Sequence, residues 1–199
     1  MKHTATMEDA SLSFDNTVST LRKHFTHIDH TDSEKIKLAN EYYKWTTLKT
    51  DLIMGEKNFQ IPSSALPNII KKSVFDWLRP DKQAIELIMR SIVLVRKAVV
   101  WVDFGYNIGT EFGGRHPAII LKNLKDSLIV IPLSSQNPKS MEYNVKVDKV
   151  YGFPLMDRWA NVTRISQVSL SRVHFQKIGD VKPSVLNEIS NKISQCGMV

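Results

Sequence analysis

Two side chains that can carry positive charge stand next to each other in GTEFGGRHPAII, residues 109–120. Arg115 and His116 follow a turn-forming run of glycines and come directly before Pro117 and an apolar stretch. A guanidinium binds phosphate through a fork of N–H donors, whereas an imidazole gives or takes a proton near neutral pH. The pair therefore predicts anion binding or proton transfer at the start of a strand.

Other polar and aromatic residues of the second half also lie where strands are expected to end. Loops carried on a rigid sheet are where binding groups tend to collect. Glycine turns, serines that end a strand and solvated charges are the structural alternative. The candidates are Asp103, Tyr106, Asn107, Glu111 and Phe112 in the loop, and Ser134 and Ser135 after LIVIPL.

The second half has the pattern of short strands separated by turn residues. Such runs without intervening helices predict a compact antiparallel barrel or sandwich. The expected strands are AVVWVDF, HPAIILKN, SLIVIPLSS, EYNVKVD and QVSLSRVHF. A final helix is expected in KPSVLNEISNKIS, with Val185, Ile189 and Ile193 on one face.

The first half has the pattern of helices. One apolar face is formed by Phe14, Val18, Leu21, Phe25 and Ile28. Thr31 and Glu34 have capping-box spacing, which predicts a second helix from there to about Gly55. A loop, NFQIPSSALPN, and two short helices, IIKKSVFDWL and DKQAIELIMRSI, broken at Pro80, are expected next. We therefore expect a helical extension over residues 1–92 and a barrel domain over residues 93–199.

The amino-acid composition limits the classes of protein to which this chain can belong. Hydrophobic residues make up 42% and charged residues 24%, as in ordinary globular proteins. The net charge of +7 is spread along the chain, with +3 in residues 1–97 and +4 in residues 98–199, so it favours a polyanion partner only weakly. One cysteine and no long apolar run lead us to expect a soluble cytoplasmic protein without disulfides or membrane spans.

The ordered motifs of the second half resemble the MazF/PemK family of bacterial toxins. VVWVDFGYNIGTEFGGRHPAIIL is followed by IVIPLSS and then by ISQVSLSRV. The family shows a V-x-W-V-D-F strand, a G-S-E-x-x-G-x-R-P loop, a strand ending in P-L-T/S and a Q-I-R-T-style strand. The match covers residues 98–190, and residues 1–90 lie outside the family pattern.

This resemblance implies an α+β fold, an SH3-like antiparallel barrel with attached helices of the MazF/PemK/CcdB kind. It also implies a homodimeric endoribonuclease that cuts single-stranded RNA in a sequence-selective way, without metal or other cofactor, and that is bound by a cognate antitoxin. The 2′-hydroxyl attacks the adjacent phosphorus and leaves a cyclic phosphate and a 5′-hydroxyl. Such a site needs a cation for the phosphoryl oxygens and a hydroxyl to orient the phosphate.

Carried over by position, the strand-end hydroxyl of the family falls on Ser134. The resemblance makes Glu111, Phe112, Tyr106, Asn107, Ser135 and Gln167 candidates for binding RNA. The family's arginine directly precedes the proline, but His116 holds that position here and Arg115 lies one place earlier. Neighbouring side chains of an extended chain point to opposite faces, so only one of the two faces the site.

Three outcomes stay open at this point: activity through His116, activity through Arg115 after a shift of register, or a degenerate site. The last would make the protein a binding module for nucleic acid or a protein, and a further alternative is an assembly role of the N-terminal helices. His24, His27 and His30 have a spacing that can bring them near one helix face, but packing explains that segment better than a metal site. Tryptophans in such strands, Trp101 and Trp159, are expected in the core more often than under RNA bases.

Overall fold

The computed structural model describes residues 6–54, 87 and 93–197. The chain divides into two compact units, residues 1–53 and residues 54–199. The expected helix end at Gly55, the loop and the two short helices lie outside the described residues, apart from Leu87. The predicted boundary between residues 92 and 93 borders that segment and stays a prediction.

The described residues of the first unit form two helices, α1 (Met7–Thr26) and α2 (Ser33–Ile53). Thr6 and Asp9 form a capping box at the start of α1, with Thr6 N–H donating to the Asp9 carboxylate at 2.8 Å. The predicted capping box at Thr31 is wrong by one residue. Asp32 caps α2 by accepting the Lys35 N–H at 3.0 Å, whereas Thr31 donates both its N–H and its hydroxyl to the Asp29 carboxylate.

The apolar face expected on α1 is only partly sheltered within its unit. Val18 and Leu21 are half-buried, Phe14 and Phe25 are exposed, and Ile28 lies beyond the end of the helix. No side chain of either helix is fully buried. The 3.6-residue period therefore predicted the helices correctly. The apolar face of α1, however, is not buried by the described residues.

From Leu94 onwards, the described residues of the second unit form seven strands and a C-terminal α-helix. The strands are β1 (Ala98–Asp103), β2 (Arg115–Asn123), β3 (Ser127–Ser134), β4 (Asn144–Val147), β5 (Arg158–Asn161), β6 (Ser166–Ser169) and β7 (Val173–Asp180). The helix is α3 (Pro183–Gln195), with proline in its first turn as expected. These elements confirm the predicted α+β class.

Two details of the predicted strands are wrong. β5 was not predicted, because RWAN is short and lies among turn-forming and charged residues. QVSLSRVHF is not one strand, since a 3-10 helix, Leu170–Arg172, separates β6 from β7. Leu170 is buried, and the Ser169 hydroxyl accepts the Ser171 N–H at 3.3 Å, which turns the chain there.

The strands pair in the order β4-β5-β3-β2-β1-β7, and every pairing is antiparallel. β3 has two partners besides β2: its first half pairs with β6 and its last two residues pair with β5. The sheet therefore divides at β3, and the end of β3 lies beside β5.

Both faces of the central strands are buried, which explains their continuous apolar runs. The first core contains Val100, Val102, Ala118, Ile120, Val130, Val168 and Phe175 among others. The second core lies on the opposite face and contains Val99, Ile119, Ile131, Leu133, Val147, Ala160, Leu186 and Ile189 among others. Ile189 of α3 is buried there and Val185 and Ile193 pack against it, so the predicted helix face is confirmed.

A buried arginine fixes the start of β5. Arg158 is only 4% exposed, and its guanidinium donates to the carbonyl oxygens of Pro154 at 3.1 Å and Met156 at 3.2 Å. Burial lowers the pKa of Arg158, and the carbonyl groups compensate part of the lost hydration. The segment that leads into β5 is thereby held in one conformation.

Among the described residues, no helix is long and apolar enough to cross a membrane.

We expect Gly179→Ala to destabilise the second unit by about 1–3 kcal/mol, as overpacking does. A Cβ at Gly179 would lie 2.2 Å from the Tyr151 carbonyl oxygen and 2.7 Å from the Phe153 ring. Ser184→Ala is the control, because Ser184 is an exposed residue in the first turn of α3. Denaturant unfolding of both variants measures the difference, and equal losses would contradict the steric explanation.

Candidate functional site

The end of the sheet brings three candidate side chains into one row. Ala118 pairs with Pro132, so two residues further along this register His116 lies opposite Ser134. Ser134 in turn pairs with Trp159 of β5. Directly paired residues of antiparallel strands present their side chains on the same face. His116, Ser134 and Trp159 therefore share one face of the sheet at its edge.

Arg115 lies on the other face. It is the first residue of β2, is exposed and pairs with Asp103 of β1. Ile119, which has the same parity along β2, belongs to the second core, whereas Ala118 and Ile120 belong to the first. Of the arrangements that the sequence left open, the observed register is the one that places His116 on the side of Ser134.

The loop between β1 and β2 is closed by its own backbone. Phe104 N–H donates to the Gly114 carbonyl at 2.9 Å, and Gly114 N–H donates to the Gly105 carbonyl at 2.6 Å. Gly113 must be glycine, because a Cβ there would lie 2.7 Å from the Gly105 oxygen. This close approach holds Phe112 against Phe104, with ring centroids 5.3 Å apart.

One carboxylate and one amide side chain of this loop form hydrogen bonds within the loop. The Glu111 carboxylate accepts the Ile108 N–H at 3.2 Å, and the Glu111 N–H donates to the Ile108 carbonyl at 3.2 Å. The Asn107 amide donates to the Phe112 carbonyl. Glu111 and Asn107 therefore shape the loop in addition to lining the space beside it.

Two neighbouring grooves open next to this row. The loop groove, of about 540 Å³, is lined by Asn107, Thr110, Glu111, Phe112, Asn161, Thr163, Arg164, Ile165 and Ser166. The strand-end groove, of about 440 Å³, is lined by Phe112, Pro132, Ser134, Gln136, Asn137, Pro138, Lys139, Ser140, Tyr143, Asn144, Trp159, Asn161 and Arg164. Phe112, Asn161 and Arg164 line both grooves and form the ridge between them.

Aromatic contacts connect this ridge to the histidine. The His116 ring lies against Phe112 with centroids 4.4 Å apart, and the Arg164 guanidinium lies 4.8 Å from the centre of the Phe112 ring. His116 is half-buried behind Phe112 and lines neither groove. Ser134 lines the strand-end groove, and its Oγ accepts the Gln136 N–H at 3.0 Å.

Burial is the main cause that lowers the pKa of His116 below its ordinary value of 6.5. Hydrogen bonds to the backbone of Leu133 and Gly113 act in the opposite direction, and the charge of Arg164 adds to the lowering. The imidazole is therefore neutral at pH 7 and able to accept a proton.

The remaining residues named from the sequence lie outside the two grooves. Tyr106, Ser135 and Gln167 line neither groove, and Gln167 donates to the Ser127 hydroxyl at 2.8 Å. Within the described residues, no group of three or more His, Cys, Asp or Glu side chains could hold a metal ion, and this applies to the segment of His24, His27 and His30.

Sequence reasoning missed the residues of NVTR and the groove position of Trp159. Asn161 and Arg164 follow β5, the strand that the sequence did not predict. Only the tryptophan in MDRWAN signals a strand there, and it was assigned to the core although it is half-buried in the strand-end groove.

The second unit is thus an α+β domain with an antiparallel sheet, a glycine-closed loop and a polar edge. Residues 95–196, just over half the chain, match the family described as PemK-like, MazF-like toxins of type II toxin–antitoxin systems. The chain belongs to this family.

Solved structures of similar fold come from several bacteria. A MazF from Deinococcus radiodurans is 19% identical, covers 52% of this chain and 96% of its own, with a TM-score of 0.44. A MazE-MazF structure from the same organism is 20% identical, covers 55% and 100%, with a TM-score of 0.42. An endoribonuclease from a mycobacterial species is 14% identical, covers 51% and 88%, with a TM-score of 0.39. None of the curated proteins compared with the sequence matches it significantly.

The low pKa of His116 predicts a pH dependence of stability. Because the pKa of His116 is lower in the folded state than in the unfolded chain, the contribution of His116 to the free energy of unfolding is fully present above about pH 6.5. It is lost as the pH falls below that value.

We expect Phe112→Ala to raise the pKa of His116, since it exposes the imidazole ring. NMR titration measures the shift, with His116→Gln to assign the signal.

Phe153→Ala is the control for that titration, because Phe153 stacks on Trp101 and not on His116. A His116 pKa that rises as much in the control as in Phe112→Ala would contradict the assignment of the shift to burial by Phe112.

Proposed function

We propose that this protein is a metal-independent endoribonuclease that cuts single-stranded RNA in a sequence-selective way. The observation that carries the proposal is the shared face of His116 and Ser134, at an edge that opens onto a groove lined by a hydroxyl, an arginine and aromatic rings. Family membership supports a toxin whose activity an antitoxin restrains. The antitoxin, the homodimer and the cytoplasmic location stay predictions.

The proposed reaction is an internal transfer. The 2′-oxygen forms a bond to the adjacent phosphorus while the bond from phosphorus to the 5′-oxygen breaks. The 2′-hydroxyl loses one proton and the leaving 5′-oxygen takes one from solvent, so the products are a 2′,3′-cyclic phosphate and a 5′-hydroxyl. DNA has no 2′-hydroxyl and cannot react in this way.

His116 and Ser134 have distinct roles in this proposal. The neutral imidazole of His116 accepts the proton of the 2′-hydroxyl, and its low pKa keeps the ring unprotonated for that role near pH 7. Phe112 covers part of the ring, so RNA binding has to displace this side chain or enter beside it. Ser134, in the strand-end groove, orients the phosphate through its hydroxyl.

The aromatic lining favours unpaired bases as ligands. Trp159 is half-buried and Tyr143 is 40% exposed, and both line the strand-end groove. Bases stack on such rings only when they are not already stacked within a duplex. The groove therefore suits single-stranded RNA better than a double helix.

The main test is cleavage of a long single-stranded RNA by the purified protein in EDTA. We expect cuts at a few discrete sites, with 5′-hydroxyl and cyclic phosphate ends. His116→Ala and Ser134→Ala should each slow cleavage by about 10²–10⁴-fold, the range of acid–base and positioning contributions. His24→Ala and Ser190→Ala are the matched controls, since both residues are exposed and line neither groove.

The absence of discrete cuts by the intact protein, or cuts that persist when His116→Ala and Ser134→Ala are combined in one variant, would count against this activity. RNA binding without any cleavage would instead favour a catalytically degenerate member of the family that serves as a binding module.

Trp159→Ala should weaken binding of a single-stranded oligonucleotide by about 1–3 kcal/mol, the range for one base stacked on an aromatic ring. Trp101→Ala is the control, because Trp101 stacks on Phe153, at 6.0 Å between centroids, and lines neither groove. Fluorescence anisotropy of a labelled RNA with its reactive 2′-hydroxyl methylated measures binding without cleavage. Equal affinity of the Trp159 variant and the wild type would contradict the stacking role.

A further inference from the structure

Arg164 is the arginine that lies on the side of Ser134. It lines the loop groove and the strand-end groove, and Ser134 lines the second of these. Arg115, the arginine of the glycine loop, lines neither groove and belongs to the opposite face of β2. Two cationic side chains, those of Arg164 and Lys139, line the strand-end groove together with Ser134. Of these, only Arg164, from the turn after β5, carries a guanidinium.

The backbone around Arg164 is fixed by short-range hydrogen bonds. Arg164 ends a 3-10 helix, Val162–Arg164, whose cap Asn161 accepts the Thr163 N–H at 2.9 Å and the Thr163 hydroxyl at 2.7 Å. Val162 is buried in the second core, and the Ser166 hydroxyl donates to the Arg164 carbonyl at 3.1 Å. The turn that presents Arg164 is thus anchored on both sides.

The Arg164 guanidinium packs against an aromatic ring but forms no ion pair with a described residue. It lies over the face of Phe112, 4.8 Å from the ring centre, where the ring attracts a cation. Among the described residues, no carboxylate lies within ion-pair distance of Arg164, and the Glu111 carboxylate of the same groove accepts the Ile108 N–H. The charge of Arg164 is therefore available to an anion.

We propose that Arg164 binds the scissile phosphate and stabilises the negative charge that builds up on its non-bridging oxygens. This inference rests on the proposed ribonuclease function and names the group that stands in for the family's loop arginine. A guanidinium offers two parallel N–H donors to a phosphate, which an imidazole at the position of His116 does not. In this arrangement His116 accepts the proton and Arg164 stabilises the negative charge on the phosphate.

Asn161 is a positioning residue in this arrangement. Its side-chain oxygen caps the 3-10 helix, so Asn161→Ala frees the turn without removing the arginine. We expect that variant to lower kcat more than it raises KM, because the guanidinium remains present but is no longer held over Phe112. Asn161→Asp keeps the capping oxygen and should restore part of the lost kcat.

The experiment compares Arg164→Ala, Arg164→Lys, Arg115→Ala and the control Arg96→Ala in two assays. Arg96 is exposed, its guanidinium lies 3.4 Å from the Ser190 hydroxyl, and it lines neither groove. In the cleavage assay, Arg164→Ala should lower kcat/KM by about 10²–10³-fold, as loss of one transition-state donor does. Arg164→Lys keeps the charge but loses the fork, so it should recover only part of the rate.

The second assay measures binding of the methylated, uncleavable RNA at several salt concentrations. Loss of one phosphate contact should reduce the slope of log affinity against log salt by about 0.7–1 for Arg164→Ala. Arg96→Ala should leave the slope at the wild-type value. Circular dichroism melting of each variant separates a lost contact from a lost fold, and Arg164→Lys serves if the alanine variant does not fold.

The two proposals fail in different ways. If the wild type binds RNA but does not cut it, the ribonuclease proposal fails, while the salt slope still decides whether Arg164 contacts a phosphate. An unchanged slope and an unchanged rate in Arg164→Ala would overturn the role of Arg164 alone. A large loss in Arg115→Ala with a normal Arg164→Ala would overturn it in favour of the loop arginine.

Discussion

The register between β2 and β3 is the constraint on which the site depends. Ala118 and Ile120 must face the first core and Ile119 must face the second, so β2 has no freedom to turn about its axis. A slip of one residue would turn the side chains of each core towards the other face of the sheet. It would also break the pairing of Ala118 with Pro132. The orientation of His116 is therefore set by core burial several residues away.

The same constraint separates Arg115 from Arg164. Alternation along β2 turns Arg115 away from Ser134, whereas the turn after β5 directs Arg164 towards the same groove. The site thus combines a histidine from one strand, a hydroxyl from the next and a cation from the turn after a third. Phe112 connects the histidine and the arginine physically, since both the His116 ring and the Arg164 guanidinium lie against it.

Electrostatics and packing act together at this contact. Burial of His116 and the nearby positive charge of Arg164 both favour the neutral imidazole. A neutral ring is the form that accepts a proton, and a guanidinium with no carboxylate partner among the described residues is the form that binds an anion. The charge of Arg164 therefore favours the neutral imidazole, which is the form that the proposed proton transfer needs.

The sequence by itself determined the order of motifs from Val99 to Val173, the α+β class, the helices α1, α2 and α3, and most of the strands. These depend on local periodicity and on turn residues, which adjacent positions of the chain carry. It left Arg115 and His116 undecided and did not single out Arg164, because both questions concern pairing between distant segments. Only the tertiary structure brings β5 beside the end of β3, and only the burial of both faces of β2 decides which of two neighbouring side chains meets Ser134.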